Sequence, residues 1–205
     1  MFITENVYAV EAARGSYVYA LRQGEGVTLI DTSMRGRARR IAAELQAQGL
    51  SEVRRILLTH HDVDHIGNVA LLQKKYGCDV YISALDLPYV QGVKKREGMK
   101  RLFSTLFKAA LPERLQTLPQ GDIAGIHIIP APGHTPGHTC FLFEEVLFVG
   151  DLLISRDGVL HKSYRRLAWD MRQLIDSAHA MNNHNFAWVC PAHGEPVKTS
   201  RIEIG

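Results

Sequence analysis

The chain has 205 residues, 46% of them hydrophobic, and a formal net charge of +3 with histidines counted as neutral. That length can bury a genuine core, and the charge is too mild to argue for a nucleic-acid partner. No stretch approaches the roughly 18 consecutive apolar residues of a membrane helix, and the start, Met1 to Asn6, lacks the basic and apolar regions of a secretion signal, so the sequence reads as cytoplasmic with no membrane partner. Cys78, Cys140 and Cys190 are odd in number and far apart, which argues against a disulfide framework or a cysteine-type zinc site.

Residues 2 to 31 alternate apolar and polar positions and are punctuated at Arg14-Gly15 and Gly24-Glu25-Gly26, predicting three antiparallel strands. Asp31-Thr32-Ser33 reads as a helix start, and a helix over 36 to 49 should turn Ile41, Ala42 and Leu45 inward and close at Gly49. A strand follows over 53 to 58, then a helix from about Ile66 to Tyr76 and a short strand at 79 to 82. Between 85 and 118 the composition turns basic, with Lys94, Lys95, Arg96, Lys100, Arg101, Lys108 and Arg114 beside an apolar stripe of Met99, Leu102, Phe103, Leu106 and Phe107. Such spacing predicts an amphipathic helix whose cations either coat the surface or attract an anionic substrate. Its stripe offers either a cover for a pocket or a homo-oligomer contact. Further on, a strand at 126 to 130, a hairpin across Glu144-Glu145, a helix over 168 to 181 and a strand at 187 to 190 complete one domain spanning 1–205. This order predicts an α+β protein with two sheets packed face to face and helices outside.

Chemistry concentrates after the strand at 53 to 58. His60, His61, Asp62, Asp64 and His65 crowd into six positions on a strand-to-helix loop, and imidazole and carboxylate donors that close repel one another without a cation. Three later Gly/Pro-rich turns offer further donors: Pro132-Gly133-His134-Thr135-Pro136-Gly137-His138, Gly150-Asp151, and Ala192-His193-Gly194-Glu195-Pro196. His127, His161, His179 and His184 have no such context. No serine or cysteine stands in a nucleophile motif; Gly15-Ser16 lacks the G-x-S-x-G frame.

In order and spacing, these segments resemble the T-H-x-H-x-D-H, G-H-T-x-G, G-D and G-H-G-x-P pattern of the metallo-β-lactamase-fold hydrolases, from Thr59 to Pro196. The resemblance implies a four-layer αββα sandwich of two mixed sheets. It implies one metal held by His60, the residue at 62 and His134, and a second held by Asp64, His65 and His193, with Asp151 bridging. The chain departs from the pattern at Asp62, where the family usually has histidine. Three carboxylates then face two divalent ions; zinc is expected first, and the hard oxygen at 62 also admits manganese or iron. Asp62 resembles the acidic ligand of flavodiiron relatives. His138 is expected to hold its turn by hydrogen bonding, and His61 to point to solvent or the pocket rim.

The implied activity is a metal-dependent hydrolase that directs a metal-bound hydroxide at a small ester, thioester or lactone. Asp64 is expected to orient the water as well as to ligate, and Tyr164 to protonate the leaving group. Arg165 and Arg166 either bind an anionic small-molecule substrate or coat the surface. Alternatives within the same fold are a phosphodiesterase or nuclease and a diiron oxygen or redox protein; the latter lacks a flavin domain or rubredoxin-like cysteines to supply electrons. The lack of a helical domain after His193 argues against a true hydroxyacylglutathione hydrolase.

Overall fold

A computed structural model describes residues 1–13, 15–24, 26–95 and 109–204. Strands β1 (Val7–Val10), β2 (Val18–Gln23), β3 (Gly26–Ile30), β4 (Val53–Leu57), β5 (Asp79–Ile82) and β6 (Leu115–Thr117) form one sheet in chain order. The connections after β1 and β2 keep β1, β2 and β3 antiparallel, and the rest run parallel, with helical crossovers from β3 to β4 and from β4 to β5. These crossovers hold α1 (Ala38–Ala47), then α2 (Val63–Ile66) and α3 (Val69–Tyr76). The short helix α4 (Leu87–Val90) follows β5. The basic helix expected around 94 to 114 lies, over 96–108, outside the described residues.

The second sheet contains β7 (Asp122–Ile123), β8 (Ile126–Pro130), β9 (Thr139–Phe143), β10 (Val146–Gly150), β13 (Trp188–Pro191) and β14 (Val197–Lys198), in the order β14-β13-β10-β9-β8-β7. Helix α5 (Met171–Ala180) makes the crossover between the parallel pair β10 and β13. A separate hairpin, β11 (Leu153–Arg156) with β12 (Val159–Lys162), was not expected.

Strand alternation sorts the side chains into layers. Val7, Ala9, Tyr19 and Leu21 face Phe141, Phe143, Val146 and Phe148 between the sheets. Their neighbours Tyr8, Val10, Val18 and Ala20 face the opposite way and bury Ile41, Leu45, Val69 and Leu72 of α1 and α3. On the far side, Cys140, Leu147 and Val149 pack against Leu174 and Ala178 of α5. The chain is therefore the expected αββα sandwich.

Two details depart from the sequence reading. The helix expected from Ile66 to Tyr76 breaks at Gly67-Asn68, where the chain passes so close to the 33–35 loop that a Cβ on Gly67 would lie 2.4 Å from the Arg35 nitrogen and 2.6 Å from the Ser33 oxygen. Asn68 explains that close approach. Its side-chain oxygen accepts from the backbone nitrogens of Gly36, Arg37 and Ala38, each at 3.1 Å, and its amide donates to the Thr32 and Met34 carbonyls at 2.6 and 2.7 Å. Asn68 thereby supplies the cap at the start of α1 from 30 residues away. The Asp31-Thr32-Ser33 segment read as a helix start is not the cap of α1, whose first flanking residue is Arg37.

Candidate metal centre

Every donor lies just past the end of a strand. His60, Asp62, Asp64 and His65 follow β4, His134 follows β8, Asp151 follows β10 and His193 follows β13. The structure brings all seven expected ligand residues together in three overlapping groups, with donor atoms inside each within 4.8 Å of one another.

The geometry divides into two sets. Asp62 Oδ2 lies 3.5 Å from His60 Nε2 and 3.1 Å from His134 Nε2. Asp64 Oδ2 lies 3.7 Å from His65 Nε2 and 3.2 Å from His193 Nε2. Asp151 stands between them and turns one oxygen to each: Oδ2 is 3.4 Å from His134 Nε2, while Oδ1 is 3.2 Å from His65 Nε2 and 3.3 Å from His193 Nε2.

These atoms fit cations better than they fit one another. His60 Nε2, His65 Nε2 and Asp151 Oδ1 are buried without a hydrogen-bond partner, an arrangement that costs free energy unless something positive sits among them. The protonation balance agrees. Burial opposes charge on His193, yet the Asp151 and Asp64 carboxylates overrule it and raise its pKa to about 10. Burial likewise opposes charge on His65, and Asp151, Asp31 and Asp64 still push it well above the ordinary range. His60, buried and beside His65, falls well below it. Burial would raise Asp151, but His65, His193 and His134 hold it well below the usual carboxylate range. The pocket is a strongly anionic field lined by imidazoles, a donor set suited to borderline divalent metals.

Residues behind the donors fix which nitrogen faces inward. Asp31 accepts from the Thr59 nitrogen at 2.8 Å and the Thr59 hydroxyl at 2.7 Å, and its Oδ2 lies 2.8 Å from His65 Nδ1. Thr59 Oγ1 is in turn 2.9 Å from His60 Nδ1. The Gly15 carbonyl lies 2.6 Å from His193 Nδ1, and Ser16 donates to the Asp64 carbonyl at 2.6 Å. Asp31 adopts a φ of 61°, an unfavourable conformation for a non-glycine residue of the kind kept at functional sites. The available sequence signal was an acid at the end of a buried strand.

The other expected residues sit as follows. His138 is not among the donor groups; its Nε2 accepts from the Asp151 backbone nitrogen at 3.2 Å, so its side chain holds the Asp151 turn, whereas its own turn is closed by backbone bonds to the Thr135 carbonyl. His61 does not point to solvent: it is buried, stacked on Tyr89 at 4.5 Å between ring centroids, with Nδ1 2.8 Å from Asp86 Oδ2. Tyr164 is half exposed, its ring lies under the Arg156 guanidinium at 5.4 Å, and its hydroxyl accepts a hydrogen bond from Arg156.

The sequence matches the metallo-beta-lactamase superfamily over residues 12–193. A probable metallo-hydrolase of Bacillus subtilis, YybB, is 25% identical over 88% of this chain and 81% of its own length. A hydroxyacylglutathione hydrolase of Shewanella sp. (strain ANA-3) is 32% identical over 82% of this chain, which spans only 60% of that enzyme. Among solved structures, TTHA1623 in a di-iron-bound form is 29% identical and superimposes with a TM-score of 0.70 over 89% of each chain. Fold and sequence match agree, and the chain belongs to the metallo-beta-lactamase superfamily.

Proposed function

We propose that this protein hydrolyses a small ester, thioester or lactone at a dinuclear metal centre. The carrying observation is Asp151, whose two oxygens each face a separate set of histidine and aspartate donors. His60, Asp62 and His134 would hold one ion, Asp64, His65 and His193 the other, with Asp151 shared. Two divalent ions in such a site supply an acidified water and positive charge for a developing oxyanion. Zinc is the first expectation for both positions, with manganese or iron accommodated by the oxygen-rich set at Asp62.

The chain's own residues do the rest. Asp64, 23% exposed in its side chain, combines a donor oxygen near His193 with access to incoming water. Tyr164 accepts from Arg156 and so keeps its own O–H to protonate a leaving group. Arg165 and Arg166 supply cations for an anionic small substrate. Relatives named hydroxyacylglutathione hydrolases support an acyl substrate.

A panel of aryl esters, thioesters, lactones, lactams and bis-aryl phosphodiesters, run on wild type and Asp151→Ala, tests the reading. Metal-dependent turnover of an acyl substrate is expected, falling about 10³-fold or more in the variant, since the ions contribute several kcal/mol of transition-state stabilisation. Turnover confined to phosphodiesters, or none at all, would overturn it. A second reading, a di-iron redox protein, is favoured by Asp62 and by the di-iron-bound relative. Protein purified anaerobically and found iron-free, colourless and active with zinc or manganese counts against that one.

A further inference from the structure

Asp86 has no counterpart among the motif residues, yet it is completely buried. It stands at the start of α4 without capping that helix, which is unusual for an aspartate in that position. Its carboxylate turns instead toward both metal-bearing loops. Oδ2 accepts from the His61 nitrogen at 3.1 Å and from the Thr135 hydroxyl at 2.7 Å, and lies 2.8 Å from His61 Nδ1. Oδ1 accepts from the Gly137 nitrogen at 2.8 Å.

Gly137 records how closely this carboxylate approaches. A Cβ there would lie 2.7 Å from Asp86 Oδ1, so the last glycine of the G-H-T-x-G turn makes room for Asp86. One buried acid thus ties the residue before Asp62 to the first and last residues of the Thr135 to Gly137 turn that follows His134. His61 completes the link. Its ring is clamped between Asp86 and Tyr89, and its Nε2 stands 3.7 Å from Asp62 Oδ1, the oxygen opposite the one that faces His60 and His134. That distance is an electrostatic contact rather than a hydrogen bond.

We propose that Asp86, acting through His61 and the Thr135 to Gly137 turn, is the positioning residue of the His60/Asp62/His134 set, fixing where Asp62 and His134 present their donor atoms. Asp31 contacts His65 directly and reaches His60 only through Thr59, while Ser16 and the Gly15 carbonyl hold Asp64 and His193; Asp86 touches none of the second set, so its loss should act on the ion of the first set alone. The inference rests on the dinuclear reading above.

The test titrates zinc and manganese into metal-free wild type, Asp86→Asn and His61→Phe, against a competing chelator. The asparagine keeps the shape but places an amide where donors now point, and the phenylalanine keeps the ring on Tyr89 without its nitrogens. Both variants should weaken one ion about 10- to 100-fold, as loss of an outer-shell partner does, and leave the other within about twofold. Manganese spectra should pass from a coupled pair to an isolated ion. Two ions bound as in wild type by both variants overturns the proposal alone. So does loss of both ions in step with a lower melting temperature of the metal-free protein, which a merely structural role would give. If Asp86→Asn does not fold, His61→Phe decides. A wild type that takes up fewer than two ions overturns the dinuclear reading and this proposal with it.

Discussion

The two halves of the centre carry similar donors but meet the solvent differently. In the half formed by His60, Asp62 and His134, both histidine side chains are fully buried and Asp62 is 14% exposed. In the other, His65 is fully buried while Asp64 and His193 are 23% and 32% exposed. One half is backed by the buried Asp86 carboxylate, and the other by Asp31 together with a glycine carbonyl and a serine hydroxyl of the loop at 15 and 16. The difference is one of access to solvent. By side-chain exposure the Asp64/His193 side is the more open and the Asp62 side the more enclosed.

The largest blow to this contrast is expected from Asp31→Ala. It leaves the Thr59 nitrogen and His65 Nδ1 buried without their acceptor and should cost about 3–5 kcal/mol of folding stability, as removal of one partner of a buried pair does. Urea titration of the metal-free protein measures it; a loss below about 1 kcal/mol would show that Asp31 is dispensable.

Next in size is the order of metal loss. Chelator added to the fully loaded protein should remove the ions in two phases, the faster belonging to the half with His193. His193→Ala should abolish the fast phase and keep the slow one. A single phase in wild type would remove the distinction between the halves.

The pH response is smaller and isolates one residue. Burial, helped by His134, lowers the His138 pKa to about 3 from 6.5. Between those values the unfolded chain takes up a proton that the folded chain refuses. The His138 contribution is therefore complete above pH 6.5 and is lost as pH falls toward about 3. Stability curves of wild type and His138→Gln should converge as pH falls from 7 to 4, and parallel curves would rule out His138 as a source of acid sensitivity.

Asn68→Ala should have the smallest effect on the metal centre. It strands three backbone N–H groups at the start of α1 and two loop carbonyls, which should cost about 1–3 kcal/mol of stability or more, while metal stoichiometry should stay as in wild type because Asn68 holds the start of α1 rather than a donor. Differential scanning calorimetry with metal analysis checks both.

The residues that carry chemistry were legible where they crowd together. His60, Asp62, Asp64 and His65 announce themselves by density, and His134, Asp151 and His193 by the glycines and prolines around them. Asp31 and Asp86 were not, because each is a single acid in a short loop whose meaning depends on a partner 34 or 51 residues away. Asp31 also carried a competing local signal, the polar run that reads as a helix start. The break at Gly67 was hidden because the apolar spacing from Ile66 to Tyr76 continues at helical period across it. The β11–β12 hairpin had a readable cue: Asp157-Gly158, with φ of 50° and 77°, is the dipeptide such tight turns favour.

The placement of the donors gives the ions a mechanical role as well as a chemical one. His60, Asp62, Asp64 and His65 hang from the first sheet, while His134, Asp151 and His193 hang from the second. Near the centre the layers share the backbone bonds from Thr139 to Thr59 and from Tyr17 to Ala192, each 2.9 Å. Any cation held by either set rivets one sheet to the other. At a hundred times its dissociation constant, each independently bound ion would add about 2.7 kcal/mol of stability. Metal supply would then govern how long the folded protein persists as well as how fast it turns over.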